Sequence, residues 1–311
     1  MGKTAIVFPG QGAQYVGMGQ AFAENYPVSK QVFESASKAM GYDMEALCFN
    51  SSDEELRKTE NTQPSILTAC IAIYKALEEK GVKADGFAGL SLGEYAALVA
   101  AGAMPFENAV KVVRRRGQYM QEEVPMGVGG MAAILGLENA KVIQACEKAS
   151  AEGVVEPANF NCPAQLVIAG EVGAVEKAVE LCKEMGAKKA VMLPVSAPFH
   201  TSMLKGAGEK LAKELEAVEF SALEKPVVGN VEADYISSEK DIKDLLIRQV
   251  SNPVRWEESI QRMINDGYDT FIEVGPGKSL SKFIKRISKE VKILNVEDPN
   301  TLDKALEKLN A

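Results

Sequence analysis

The chain is poor in the residues that most metal and redox sites need. It has one histidine, His200, in 311 residues, and five cysteines (Cys48, Cys70, Cys146, Cys162, Cys182) with no Cys-x-x-Cys pair among them. A single imidazole and scattered thiols cannot assemble a familiar zinc site, and the cysteines read as reduced, buried thiols of a cytoplasmic protein. No run of about 18 apolar residues occurs. Met1-Gly2-Lys3-Thr4 passes directly into the strand-like Ala5-Ile6-Val7-Phe8, so neither a membrane span nor a signal peptide is expected. Positive charge is also scarce: 35 Lys and Arg against 43 Asp and Glu give a net charge of −8, which argues against general nucleic-acid affinity. An acidic partner would need a local basic surface. Arg114-Arg115-Arg116, Lys188-Lys189 and Lys282 with Lys285-Arg286 are candidates, although each fits solvated helix or loop charge as well.

What the chain does have is ample core, with 46% hydrophobic residues in 311. It also has a serine in a telling place. Gly89-Leu90-Ser91-Leu92-Gly93 has the Gly-x-Ser-x-Gly form of a nucleophile elbow, where small flanking residues let a strand turn sharply into a helix and expose the hydroxyl. Asp85 to Leu90 reads as a short buried strand and Leu92 to Ala101 as an Ala- and Leu-rich helix. A helix N-terminus directs free N–H groups toward Ser91, so the backbone N–H of Leu92 is placed to stabilise an oxyanion. A nucleophilic serine needs a base that is neutral near pH 7, and His200 is the one imidazole that could serve.

Strand-like and helical segments alternate from Thr4 to Glu122 in the rhythm of a parallel α/β sheet, including a helix with Ile66, Cys70, Ile73 and Leu77 at helical spacing that stops at Gly81. Gly127-Val128-Gly129-Gly130 reads as a hinge. A β-α-β-β-α-β order then fits in under about 70 residues, the ferredoxin-like arrangement. From Met203 the chain returns to mixed α/β, with helices expected near Asp241–Gln249 and Pro253–Ile264 and strands near Thr270–Val274 and Lys292–Val296. The expected architecture is α/β: a large domain with a central parallel sheet (1–126 and 196–311) and an inserted small ferredoxin-like domain (127–195). Ser91 and His200 would face each other across the cleft between them.

No Asp lies between Ser91 and His200, so a Ser-Asp/Glu-His order of the α/β-hydrolase kind is poorly supported and a dyad is expected. A neutral acceptor such as a backbone carbonyl would orient the imidazole. Phe8-Pro9-Gly10-Gln11-Gly12 follows the first strand and offers a second backbone N–H for an oxyanion. It is not a dinucleotide fingerprint, because Tyr15 stands where a third small residue is needed, and no Walker Gly-Lys-Ser/Thr ending follows.

Taken in order, Phe8-Pro9-Gly10-Gln11-Gly12, Thr62-Gln63-Pro64, Gly89-Leu90-Ser91-Leu92-Gly93-Glu94-Tyr95, Arg116-Gly117, Ala158-Asn159-Phe160-Asn161, Ser196-Ala197-Pro198-Phe199-His200 and Gly275-Pro276-Gly277 resemble the malonyl-CoA:acyl carrier protein transacylases of dissociated, type II fatty-acid synthesis from end to end. The resemblance implies a hydrolase-like large domain. It also implies a ping-pong acyltransferase in which Ser91 is acylated, His200 is the base, and the N–H groups of Gln11 and Leu92 form the oxyanion hole. Gln249 would orient His200 through its carbonyl, Arg116 would hold the malonyl carboxylate, and Asn159 and Phe199 would line the substrate site, with Phe199 fitting the malonyl-type pattern. Malonyl-CoA and an acyl carrier protein are the implied partners, with no nucleic acid, membrane, metal or redox cofactor. Lys188, Lys189, Lys285 and Arg286 are the expected carrier-docking residues, since an acidic enzyme needs a positive face for an acidic partner. Leu90 departs from the pattern, because many relatives have His before the serine. A serine esterase or thioesterase, malonyl loading of a polyketide carrier, and a catalytically idle binding module are the rival readings.

Overall fold

The continuous apolar run of the first strand, Ala5-Ile6-Val7-Phe8, sets the frame. The computed structural model describes residues 2–195 and 197–310, so Met1, Ser196 and Ala311, which enter the expected domain boundaries and the last-but-one motif, lie outside the described residues. The strands are β1 (Lys3–Phe8), β2 (Gly86–Gly89), β3 (Gly129–Leu135), β4 (Val155–Cys162), β5 (Gln165–Glu171), β6 (Lys189–Met192), β7 (Val227–Val228), β8 (Tyr268–Val274) and β9 (Lys292–Val296). On β1, Ile6 and Phe8 point into one apolar cluster and Ala5 and Val7 into another on the opposite face. Both faces of the strand are therefore covered, as a parallel sheet requires.

The large sheet has the order β7-β2-β1-β8-β9 with every pair parallel. One face packs on the helix Thr59–Glu79 and its neighbours; the other packs on Val254, Trp256, Ile260, Met263, Leu280 and Ile284. The helix Thr59–Glu79 is not the amphipathic element its spacing suggests. Thr62, Gln63, Ser65 and Thr68 on its supposed polar side are buried too, so it is a core helix enclosed on all sides.

The second sheet is antiparallel, in the order β4-β5-β3-β6, with the helices Asn139–Ala149 and Val172–Glu184 on one face. This is the expected ferredoxin-like arrangement. Its other face carries Met131, Ala158, Val167 and Ala169 and meets Phe199 of the large unit. Gly129 and Gly130 are not a hinge but the first ladder positions of β3, paired with Glu171 and Gly170. Gly129 is needed there for close approach: a Cβ would lie 2.4 Å from Pro198 Cδ, in the segment that leads to His200.

The helix expected from Pro253 begins at Trp256 instead. Val254 is extended, donating to Ala158 O and accepting from Phe160 N at 2.9 Å each, and so stitches the large unit to β4. Tertiary pairing overrides the local helical pattern at this junction. A closing helix, Pro299–Asn310, escaped the sequence reading and packs Leu302 and Ala305 into the main core.

Candidate active site

Both loops that build the site leave the carboxyl ends of neighbouring parallel strands, the usual position of ligand sites in such sheets. The chain turns at Ser91, with φ 53°, between β2 and the helix Gly93–Ala100. A left-handed serine costs roughly 1–3 kcal/mol and persists only where its surroundings fix it. Asn230 supplies that fixing: its Oδ1 accepts from Ser91 N at 2.6 Å and its Nδ2 donates to Gly89 O at 2.7 Å. The elbow glycines permit close packing, since a Cβ at Gly93 would lie 2.1 Å from Phe8 O.

Ser91 Oγ lies 2.7 Å from His200 Nε2, and His200 Nδ1 lies 2.8 Å from Gln249 O. A carbonyl only accepts, so the proton sits on Nδ1 and Nε2 presents its lone pair to the serine hydroxyl. His200 is itself held at φ 64°. Burial, and then the Arg116 charge, push its pKa from 6.5 down to about 3, so the imidazole is a neutral acceptor at physiological pH.

Arg116 is fully enclosed on the helix Phe106–Glu122. Its Nη1 donates to Gln63 Oε1 at 2.9 Å, and its Nη2 donates to Ser91 Oγ at 3.1 Å and Gln249 Oε1 at 2.9 Å. All three acceptors are neutral. Gln249 is the hub of the site, for its carbonyl holds His200, its Oε1 accepts from Arg116, and its Nε2 donates to Ser91 O at 3.0 Å and Glu94 Oε2 at 2.7 Å. Burial raises the Glu94 pKa from 4.5 to about 7 against the opposing hydrogen bonds and the Arg116 charge.

The structure thus brings Ser91, His200, Gln249 and Arg116 together. Among the described residues, no backbone acceptor takes the N–H of Gln11 or Leu92. Gly10, next to Gln11, packs so closely on the elbow that a Cβ there would lie 2.4 Å from Leu90 O. Phe199 packs against both the main core cluster and the small cluster of Met131, Ala158, Val167 and Ala169 on the second sheet. Asn159 is buried on β4 at the Val254 junction, and its side chain makes no hydrogen bond to the described residues of the dyad. Two of the basic residues border the β4–β5 turn: Gly136 N donates to Ala164 O at 2.8 Å and a Cβ on Gly136 would meet Lys188, and Arg286 donates to Pro163 O and Gln165 Oε1. The Arg286 guanidinium is engaged on this turn, and Arg286, Lys188, Lys189 and Lys285 are all exposed.

Sequence reasoning gave no role to Gln63, Glu94 or Asn230. The first two stand inside quoted motifs, whereas Asn230 follows a two-residue strand with no local signal. The cysteines are all buried, and burial pushes the thiols of Cys48 and Cys146 up to about 12 and those of Cys162 and Cys182 to about 11, far from the thiolate range of a nucleophile. Among the described residues, no group of three or more His, Cys, Asp or Glu could hold a metal ion.

Known proteins resemble this chain over nearly its whole length. The acyl transferase domain model matches residues 5–302. The malonyl CoA-acyl carrier protein transacylase of Bacillus subtilis (strain 168) is 46% identical over 310 residues, covering 99% of this chain and 98% of the relative. The chain belongs to the malonyl-CoA:acyl carrier protein transacylase family. A solved family member from Clostridium perfringens Atcc 13124 superposes with a TM-score of 0.96 at 50% identity, over 99% of this chain and 97% of that one. A malonyl-transacylase solved in complex with its type II PKS acyl-carrier protein has a TM-score of 0.96 at 44% identity, over 98% and 99% of the two chains. Leu90, which precedes the nucleophile, is half-buried and packs against the core cluster that contains Ala88 and Val228.

Proposed function

We propose that the chain transfers the malonyl group from malonyl-CoA to the phosphopantetheine thiol of acyl carrier protein through a malonyl-Ser91 intermediate. The observation that carries this reading is the buried Arg116 guanidinium at hydrogen-bond distance from the nucleophile, a cation placed to clamp an acyl carboxylate as the thioester reaches Ser91. His200 Nε2 takes the Ser91 proton as Oγ attacks, and Gln249 O stabilises the imidazolium that forms. The N–H groups of Gln11 and Leu92 receive the oxyanion. Collapse of the tetrahedral species breaks the C–S bond, and His200 protonates the departing coenzyme A thiolate. The carrier thiol then gives its proton to His200 and attacks the acyl-serine, and collapse of the second tetrahedral species breaks the acyl C–Oγ bond as His200 returns the proton to Ser91 Oγ. Every proton has a donor and an acceptor in the chain or its substrates, so no metal or redox cofactor enters. Asn159 and Phe199 would border the acyl site.

In this reading the cleft lies between a large domain (1–126 and 196–311) and the inserted domain (127–195). Lys188, Lys189 and Lys285 form the exposed basic edge for the acidic carrier, and Arg286 holds the β4–β5 turn that presents it. Charge reversal at the three lysines should weaken the carrier step, most at low salt, while loading from malonyl-CoA persists. Equal loss in both half-reactions would count against this docking face. Buried free thiols are compatible with a cytoplasmic setting, and no helix among the described residues is long and apolar enough to cross a membrane.

A polyketide carrier is the second acceptor reading, favoured by the relative solved with one. Transfer of labelled malonyl to purified fatty-acid and polyketide carriers tests both. Release of free malonate at the same rate with and without carrier would instead indicate an esterase or thioesterase.

A further inference from the structure

Glu94 is an unusual companion for a cation that must bind a carboxylate. It is 1% exposed, on the first turn of the helix that follows the nucleophile. One oxygen, Oε2, accepts from Gln249 Nε2 at 2.7 Å and Asn230 N at 3.1 Å. Among the described residues it forms no direct ion pair with Arg116. The Gln249 amide stands between them, its oxygen on Arg116 and its nitrogen on Glu94. Tyr95 on its own helix interacts with it electrostatically, and His200 lies beyond Gln249, on its carbonyl. Arg248, next to Gln249, is turned outward and paired with Glu232 and Asp244. Arg116 is therefore the single charge that favours an ionised Glu94.

Resting on the carboxylate role of Arg116 given above, we propose that Glu94 is the counter-charge of Arg116 across the Gln249 amide, and that it takes up a proton from solvent when a carboxylated acyl group occupies Arg116. An acyl carboxylate brings one negative charge that offsets the guanidinium's field at Glu94, and this favours the protonated form of Glu94. The acid remains hydrogen-bonded either way, so Gln249 and Asn230 stay in place. Glu94 is thus a positioning residue whose charge is surrendered only to a carboxylated substrate.

Formation of an acyl-serine from a CoA thioester moves one proton from Ser91 to the thiol of coenzyme A and exchanges none with solvent near pH 7. Any uptake then reports a protein group. Its carboxyl pKa of about 7 places the effect within reach of a pH indicator. Wild-type protein mixed with one equivalent of malonyl-CoA at pH 7.5 in dilute buffer should take up on the order of half a proton per malonyl-enzyme formed. Acetyl-CoA should give acyl-enzyme with no uptake, and Glu94→Gln, which keeps the accepting oxygen, should load malonyl without uptake. Stoichiometric malonyl-enzyme with no proton change in the wild type, or equal uptake with acetyl, overturns the proposal and leaves the acyltransferase reading standing. Absence of any malonyl-enzyme overturns that reading instead. The wild-type comparison stands even if the variant does not fold.

Discussion

Replacing Arg116 with alanine separates substrate recognition from chemistry. The guanidinium donates to Gln63, Ser91 and Gln249, all within 3.1 Å. For an uncharged acyl group the loss is that of charge-assisted hydrogen bonds from the guanidinium to the nucleophile and to the residue that holds His200. At about 1.5–3 kcal/mol for a hydrogen bond to a charged group, loss of the bond to the nucleophile alone should lower acetyl loading about ten- to a hundredfold. Malonyl loses this and also the partner of a carboxylate that has left water. Removing one member of a buried charge pair costs about 3–5 kcal/mol, and about 1.36 kcal/mol is one decade, so malonyl loading should drop by a further hundredfold or more. The assay is single-turnover acylation by malonyl-CoA and acetyl-CoA, quenched and resolved by intact mass, with a thermal melt to verify folding. A malonyl-to-acetyl ratio unchanged in a folded variant would refute the argument and make Arg116 a structural donor only.

Three further outcomes follow from the geometry. Asn230→Ala removes both clamps on the elbow and should slow acylation by roughly ten- to a hundredfold, at about 1 kcal/mol per hydrogen bond; an unchanged single-turnover rate would show that the turn at Ser91 holds itself. Gly129→Ala would place a methyl 2.4 Å from Pro198 Cδ, and should lower both melting temperature and acylation rate by displacing the His200 segment; wild-type values for both would contradict that packing. Stability against pH carries two opposed contributions. His200 titrates near 3 when folded against 6.5 otherwise, so its contribution is lost as pH falls through that window; Glu94 titrates near 7 against 4.5, so its contribution is lost as pH rises. The two cancel between pH 4.5 and 6.5 in the wild type. In Glu94→Gln the melting temperature should climb across that interval more steeply than in the parent, and identical slopes would count against the Glu94 assignment.

The elbow, the lone imidazole and the alternation of strands and helices were legible because each rests on local chemistry. Gly-x-Ser-x-Gly announces a tight turn, and one histidine leaves no rival base. The βαββαβ order of the small unit was readable from periodicity alone. What escaped depends on contacts distant in sequence. Asn230 grips Ser91 from 139 positions away. Gln249 reaches Glu94 across 155 positions. Val254 gave up a helical start for pairing with β4, and Gly129 and Gly130 entered a strand because β5 lay ready to pair. Arg116 looked like one member of a surface run, yet Arg114 and Arg115 fall on other faces of the same helix and only Arg116 is fully buried. The arginine run alone does not say which of the three turns inward, but Val112, Val113, Tyr119 and Met120 at helical spacing place Arg116 on the apolar face.

The central claim is a covalent malonyl-serine, and it can be read directly from mass. Brief incubation with malonyl-CoA, acid quench and peptide mapping should place one malonyl group on the peptide containing Ser91, with Ser91→Ala unlabelled and carrier protein discharging the label from the wild type. Label that persists in Ser91→Ala, or that maps to one of the five cysteines, would contradict the account.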